Sequence, residues 1–333
     1  MSLIDIIEYA RQRGASDIHF TNRRPPLIRI DGVLFPIGNQ DLEPQILAAL
    51  AKELAGDRYD TFLDRGEIDF TYQAPNNRLR VNVYLQQGVP TAALRLIPEK
   101  IPKFEELGIP PAVRAFTELH QGLVLFTGPT GSGKSTTMAS LINEINRTRA
   151  CHILTLEDPI EYVHQHEKSI VNQREIGQDS KSFANALRAA LRQDPDVILV
   201  GEMRDLETIS TAVTAAETGH LVLATLHTSG APAAVDRIID AFPAHQQQQI
   251  RVQLADTLRG IVAQRLLPKK GQKGRVMACE ILVGNSAVKN LIREGKLHQI
   301  PTTMETGSKF GMQTFEQSLK ILVDQGLIDP VQL

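Results

Sequence analysis

Residues 122–135 read GLVLFTGPTGSGKS. The last eight of them fit the pattern G-x-x-x-x-G-K-[ST], a phosphate loop whose backbone N–H groups and lysine cradle the phosphates of a nucleotide. The apolar run 122–127 predicts a buried parallel strand, and the apolar spacing within 135–145 predicts a helix. Strand, loop and helix in this order predict a site for ATP or GTP. The predicted nucleotide-binding residues are Gly128, Pro129, Thr130, Gly131, Ser132, Gly133, Lys134, Ser135 and Thr136.

Apolar strands alternate with helices from residue 122 to about residue 283, which predicts a doubly wound parallel α/β sheet. After Asn285 the pattern becomes mostly helical. The predicted strands include Cys151–Leu156, Asp196–Val200 and His220–Leu226, and the predicted helices include Ser182–Leu191 and Leu206–Ala216.

The first 97 residues predict a small α/β module. Two short apolar runs on either side of Asp31-Gly32 predict a β-hairpin. The alternating run 78–85 and the run 91–97 predict a second antiparallel pair. This pairing is expected to place Arg80 and Arg95 on the same side of the sheet.

Composition limits the class of protein. With 333 residues, of which 42% are hydrophobic, the chain is long enough for two compact domains, and prolines place their boundary near residues 100–112. A net charge of −2 gives no overall field for nucleic acid, so none is expected as a partner. No apolar run approaches a membrane span, and Cys151 and Cys279 are too few for a disulfide framework or a cysteine zinc site. These features predict a cytoplasmic protein without direct membrane insertion.

Two acidic clusters follow predicted strands, where ligands bind in open α/β sheets. In EDPIE at 157–161, a carboxylate can orient the attacking water or hold Mg²⁺, although a solvated acidic turn also explains the residues. In GEMRD at 201–205, Glu202 takes the place of a Walker B acid and can coordinate Mg²⁺ or polarise the nucleophile. A strand-end salt bridge between Glu202 and Arg204 is the alternative.

Two histidines bracket the predicted strand in TGHLVLATLHTSGA, with His220 before it and His227 after it. His227 is expected at the carboxyl end, where it can contact a γ-phosphate. His220 is expected at the opposite end. For either residue alone, a structural histidine is the better explanation.

Four segments occur in the order GPTGSGKST, TLEDPIEY, DPDVILVGEMRD and TGHLVLATLHTSGA. They resemble the Walker A, Asp box, Walker B and His box of the secretion ATPase superfamily, the hexameric motors of type II secretion and type IV pili. The resemblance extends to ASDIHF at 15–20, RIDG at 29–32 and the segments 174–196 and 290–319, so it covers nearly the whole chain. It implies a PAS-like α/β domain at 1–100, a linker at 101–112, a RecA-like P-loop NTPase core at 113–285 and a C-terminal helical region at 286–333.

The C-terminal segment is most similar to the retraction ATPases of type IV pili. They carry AIRNLIRE where this chain has AVKNLIRE at 287–294, so Val288 and Lys289 depart from the pattern. Assembly and secretion ATPases usually have a longer N-terminus and a four-cysteine zinc insertion, features that this sequence does not match. The resemblance therefore implies an ATP-hydrolysing hexameric motor for pilus retraction, that is, for pilus disassembly and twitching motility.

The resemblance also implies roles for single residues of the boxes. Lys134 is expected to hold the β- and γ-phosphates of ATP, and Ser135 and Glu202 to bind Mg²⁺. Glu161, the last glutamate of the Asp box, is expected to be the general base. Glu202 is the implied Walker B acid, and His227 is the implied His-box contact.

Arg80 and Arg95 match the N-terminal arginines that neutralise charge in the transition state. Without the resemblance, both read as ordinary strand-surface arginines. The implied partners are other copies of the chain in a homohexamer and an inner-membrane pilus platform protein, with a second retraction ATPase left open. The expected location is the cytoplasmic face of the inner membrane. The alternatives are an assembly ATPase of a type II secretion or DNA-uptake pilin system and a non-hydrolysing nucleotide-binding regulatory subunit.

Overall fold

A computed structural model of the protein describes residues 1–75, 77–97, 100–272 and 274–332. The chain divides into two compact units, Met1–Lys100 and Ile101–Leu333. Among the helices of the described residues, none combines the length and the apolar character that a membrane span requires.

The first unit packs helices against one antiparallel sheet with the strand order β3-β2-β1-β6-β5-β4. Its helices and strands are α1 (Leu3–Gln12), β1 (Asp17–Phe20), β2 (Leu27–Ile30), β3 (Val33–Pro36), α2 (Pro44–Ala55), α3 (Tyr59–Arg65), β4 (Glu67–Ala74), β5 (Asn77–Gln86) and β6 (Val89–Ile97). Asp31 and Gly32 have φ angles of 48° and 83°, and these positive values suit the tight turn of a hairpin. The predicted hairpin between β2 and β3 is therefore confirmed.

The second unit alternates strands and helices and ends in a helical region. Its strands are β7 (Gly122–Thr127), β8 (His152–Glu157), β9 (Ile170–Glu175), β10 (Val197–Val200), β11 (Leu221–Leu226), β12 (Leu258–Pro268) and β13 (Arg275–Val283). Its helices are α4 (Phe104–Leu107), α5 (Pro111–Arg114), α6 (Lys134–Thr148), α7 (Phe183–Ala190), α8 (Leu206–Glu217), α9 (Ala231–Asp240), α10 (Gln247–Thr257), α11 (Ser286–Arg293), α12 (Ile300–Glu305) and α13 (Phe315–Asp324). The strands and helices named above as predicted after residue 150 are all present, with ends that differ by at most one residue.

These strands form one sheet in the order β13-β12-β7-β11-β10-β8-β9, parallel except for β13 at the edge. Every residue of β7, β10 and β11 is buried. In β7, Leu123 and Leu125 face a core shared with α8, α9 and α10, whereas Val124 and Phe126 face the core shared with α6. Helices thus cover both faces of the sheet, and the predicted doubly wound fold is confirmed.

The register of the parallel strands brings their carboxyl ends together. Leu226 in β11 pairs with Thr127 in β7, and Val200 in β10 pairs with Leu156 in β8. The residues that follow these positions therefore meet at one edge of the sheet, beside the loop between β7 and α6.

The helices after Asn285 belong to the same compact unit as the sheet. Val288 and Ile292 of α11 are buried in the core that contains α8, α9 and α10. Helix α13 lies along β13, where the backbone N–H of Cys279 donates to Ser318 Oγ at 3.1 Å.

Candidate nucleotide-binding site

A cleft of about 410 Å³ opens where the carboxyl ends of β8, β10 and β11 meet the first turn of α6. This size suits a nucleotide, because small-molecule sites commonly enclose roughly 300–1,000 Å³. The predicted site residues that line the cleft are Thr130, Gly131, Gly133, Lys134, Ser135, Thr136, Glu161, Glu202 and His227. Gly128, Pro129 and Ser132 belong to the same loop outside this lining.

The phosphate loop, residues 128–133, joins β7 to α6. Gly128 and Gly133 have φ angles of 142° and 90°, a backbone conformation that other residues rarely adopt. A Cβ atom on Gly128 would lie 2.4 Å from the carbonyl oxygen of Gln264 and 2.7 Å from Ser132 Oγ. Glycine is required here because the loop runs directly against β12 before it enters the helix.

Lys134, the first residue of α6, points back over this loop. Its Nζ donates hydrogen bonds to the carbonyl oxygens of Gly128 at 2.7 Å and Pro129 at 3.0 Å. Burial lowers the pKa of the Lys134 ammonium, while the carboxylates of Glu202 and Glu161 act in the opposite direction. An ammonium group held over the loop in this way can donate charge-assisted hydrogen bonds to phosphate oxygens.

Glu157 ends β8 and opens the Asp-box segment, which we define as residues 157–164. Its carboxylate accepts hydrogen bonds from Thr155 Oγ1 at 2.7 Å and Gln173 Nε2 at 3.0 Å. Burial raises the pKa of the Glu157 carboxyl despite these bonds and one from the backbone of Glu161. Glu157 therefore fastens the segment to the sheet.

The middle of the Asp-box segment is tied to the phosphate-loop helix. The hydroxyl groups of Tyr162 and Thr136 lie 3.1 Å apart and form a hydrogen bond. Glu161 precedes Tyr162 and has an exposed side chain in the cleft. The structure thus brings Glu161 to the same cleft as Lys134, although 27 positions separate them in the sequence.

Glu202 follows β10 after one glycine. A Cβ atom on Gly201 would lie 3.0 Å from the carbonyl oxygen of Leu156, so the close approach of β8 explains the glycine at this place. Glu202 Oε1 lies 2.6 Å from Arg204 Nε and 3.3 Å from His227 Nε2. The salt bridge between Glu202 and Arg204, which the sequence left as the alternative, is therefore present. The same carboxylate also lies beside His227 of the His box.

The two histidines lie at opposite ends of β11, as predicted. His227 lies beside Glu202 in the cleft with a partly exposed side chain. His220 lies at the amino end, where its carbonyl oxygen accepts from the N–H of Gly122 at 3.0 Å and its Nδ1 lies 3.0 Å from the carbonyl oxygen of Ala215. His220 is a structural histidine in this arrangement.

Arg80 and Arg95 lie in the first unit. They are directly opposite each other on β5 and β6, so they share a face of the sheet, as predicted. Arg95 Nε lies 3.0 Å from Asp17 Oδ1, whereas Arg80 Nε lies 3.9 Å from Asp69 Oδ1. Both arginine side chains are about half exposed or more.

The family model described as type II/IV secretion system protein matches residues 2–322. The type IV pilus retraction ATPase PilT of Pseudomonas aeruginosa is 46% identical, with coverage of 98% of this chain and 96% of that protein. The chain belongs to the type II/IV secretion system protein family.

Other members of the secretion family are similar over most of their length. A twitching motility protein of Neisseria gonorrhoeae is 49% identical, over 92% of this chain and 82% of that protein. The crystal structure of the pilus retraction motor PilT with bound ADP superposes with a TM-score of 0.93 at 48% identity, covering 100% of this chain and 99% of that one. The ATPase DotB of Legionella pneumophila superposes with a TM-score of 0.83 at 32% identity, covering 98% and 92%. The predicted RecA-like α/β fold of this family is thereby confirmed.

The sequence gives no role to three residues in or beside the cleft of this secretion-family member. Tyr162 is part of TLEDPIEY, and its partner Thr136 gives it a structural role that the motif alone does not state. Arg275 lines the cleft from the start of β13 and belongs to no motif. Gln173, on β9, bonds to the Asp-box segment. Only the sheet register brings Arg275 and Gln173 to this edge, so no local signal identifies them.

Proposed function

We propose that this protein is an ATP-hydrolysing motor that drives type IV pilus retraction. The observation that carries the proposal is the match to the retraction ATPase PilT, which spans 98% of this chain and 96% of that protein. The phosphate loop, the Asp box, Glu202 and His227 converge on one cleft, which supports ATP hydrolysis as the activity.

The cleft suits a nucleotide phosphate with Mg²⁺. Ser132 Oγ is buried in the loop without a hydrogen-bond partner among the described residues, so the loop retains an unused polar group. The hydroxyl of Ser135 and the carboxylate of Glu202 line the same cleft and are oxygen ligands of the kind that Mg²⁺ prefers. When bound, Mg²⁺ neutralises negative charge on the phosphates. Lys134 supplies further positive charge to the β- and γ-phosphates.

Glu161 is the proposed general base. Its exposed carboxylate in the cleft can orient a water molecule and accept its proton, whereas Glu157 is buried and already accepts several hydrogen bonds. Glu202 and His227, 3.3 Å apart, are proposed to respond together to the γ-phosphate.

Arg80 and Arg95 are proposed to neutralise charge on the transferred phosphate. This role is supported by the family resemblance and by their common, exposed sheet face. The proposed assembly is a homohexamer that acts on an inner-membrane pilus platform protein from the cytoplasmic face. The proposed organisation is a PAS-like domain at 1–100, a linker at 101–112, an ATPase core at 113–285 and C-terminal helices at 286–333.

Steady-state phosphate release by the purified full chain tests the enzyme activity. Lys134→Ala should abolish turnover and weaken ATP binding, because it removes the phosphate-binding cation. Glu161→Gln should retain ATP binding and lose turnover. Glu167→Gln is the matched control, since Glu167 is an exposed glutamate paired with Arg147. Wild-type turnover in Glu161→Gln would contradict the role of the base.

Counting surface pili by electron microscopy tests the cellular function. A strain without this protein should carry more pili and lose twitching motility, and wild type but not Glu161→Gln should restore both properties to normal. Cells without pili would instead indicate an assembly motor. Unchanged piliation with active ATP turnover would indicate another pilin-like system.

A further inference from the structure

The side chain of Gln173 bonds to three points of the Asp-box segment. Its Nε2 donates to the carbonyl oxygen of Tyr162 at 2.8 Å and to Glu157 Oε1 at 3.0 Å. Its Oε1 accepts from the backbone N–H of His164 at 2.8 Å. A single carboxamide thus connects the start of the segment to the backbone immediately after Glu161.

The hydrogen bonds from Gln173 to Tyr162 and His164 take the place of those that a neighbouring strand would make. In a parallel pair of strands, the C=O of one residue and the N–H of the residue two positions later bond to the same residue of the partner strand. The side-chain amide of Gln173 bonds in the same way to the C=O of Tyr162 and the N–H of His164. Other side chains support the same segment, since Glu175 Oε2 accepts from the N–H of Ile160 at 3.2 Å.

The register of the sheet explains why Gln173 reaches this place. Gln173 on β9 pairs with Thr155 on β8, and Thr155 lies on the same face as Glu157, two residues further on. The partners also fix the orientation of the amide. Its NH₂ group faces two oxygen acceptors and its oxygen faces an N–H, whereas the flipped amide would satisfy none of the three.

We propose that Gln173 is a positioning residue for ATP hydrolysis, which fixes the backbone next to Glu161 and thereby the general base. The inference rests on the function proposed above. Gln173 lies outside the lining of the cleft among the described residues, so it acts through the Asp-box segment. Misplacement of a reacting group by about 1 Å can lower the rate about 100-fold.

Gln173→Met tests this role because methionine has similar length and makes none of the three hydrogen bonds. We expect kcat for ATP to fall about 10- to 100-fold. The Kd of ADP should change less than about twofold, because Lys134 and the phosphate loop are untouched. The matched control is Asn172→Met on the same strand, where the exposed amide lies 2.9 Å from His152 Nε2. This control should retain the wild-type kcat.

Two further variants make the result decisive. Gln173→Glu keeps the acceptor for His164 but loses the donor to Tyr162, so its kcat should also fall, and it replaces the Met variant if circular dichroism shows that variant to be unfolded. In a Glu161→Gln background, Gln173→Met should not lower the residual rate further. Wild-type kcat in folded Gln173 variants, or equal losses of kcat and ADP affinity, would overturn the inference. Absence of ATP turnover in the wild type would instead refute the proposed function.

Discussion

A fall in pH should destabilise this protein through His164, at the end of the Asp-box segment. Its side chain lies in the cleft lining, the residue is only 8% exposed, and its Nδ1 has no hydrogen-bond partner within the described residues. Burial lowers the pKa of the His164 imidazole to about 4 from its ordinary value of 6.5. The native protein therefore holds this imidazole in its neutral form.

The sign and size of the effect follow from linkage. Between pH 6.5 and pH 4 the unfolded chain binds a proton that the native imidazole does not, so the free energy of unfolding decreases as the pH falls. From pH 7 to pH 5 this histidine alone should lower the free energy of unfolding by about 2 kcal/mol. The full loss, about 3 kcal/mol, should be reached below pH 4.

Urea unfolding at pH 7 and pH 5, followed by far-UV circular dichroism, measures this loss; the chain contains no tryptophan for fluorescence. His164→Gln cannot take up the proton, so its loss of stability between the two pH values should be smaller than that of wild type by about 2 kcal/mol. His298→Gln is the control, because His298 is exposed and lies outside the cleft lining. This control should keep the wild-type loss.

Each variant is compared with wild type over the same change of pH. The carboxylates are the same in all three proteins, so their titration cancels from the difference between the losses of stability. Equal losses of unfolding free energy in wild type and His164→Gln would refute the inference that the native protein holds this imidazole neutral. A smaller loss in His298→Gln as well would show that the effect is not specific to the cleft.

Three other perturbations have clear expected outcomes. Gly128→Ala places a Cβ atom 2.4 Å from the Gln264 carbonyl oxygen; it should lower stability by about 1–3 kcal/mol and weaken ADP binding, as measured by thermal unfolding with and without ADP. Glu280 Oε1 accepts from the N–H of Ala231 at 2.6 Å at the start of α9. Glu280→Ala should therefore cost about 1–2 kcal/mol in urea unfolding, whereas Glu280→Gln keeps the oxygen acceptor and should lose less than half as much. Chelation by EDTA should stop phosphate release without changing the circular dichroism spectrum, because the proposed Mg²⁺ acts on the nucleotide phosphates.

Local signals in the sequence were sufficient where one short segment determines its own structure. The phosphate loop is such a case, because its glycines take backbone angles that other residues avoid. The hairpin at Asp31-Gly32 is another, and the apolar runs of β10 and β11 predict buried parallel strands. Each of these features depends on neighbours in the sequence.

The contacts made by β9 and β13 could not be predicted from the sequence, because no local pattern indicates how these strands are placed. β9, Ile170–Glu175, begins with an exposed isoleucine and contains mostly polar residues, so its pattern does not indicate a strand. Once β9 pairs with β8, Gln173 meets Glu157, which is 16 positions earlier. Glu280 and Ala231 meet in the same way across 49 positions. No sequence motif around Gln173 or Glu280 indicates these contacts.

Glu157 and Glu161 of the Asp box are the same residue type, so composition alone makes them equal candidates for the general base. The fold gives them different surroundings. Glu157 is desolvated, and its carboxylate accepts hydrogen bonds from Thr155, Gln173 and the backbone of Glu161. To take a proton from water it would have to give up bonds that hold the loop. Glu161 contributes only its N–H to this network and leaves its carboxylate exposed in the cleft. The buried glutamate therefore fixes the backbone next to the exposed one, and a fixed backbone is what the proposed role of Glu161 as the general base requires.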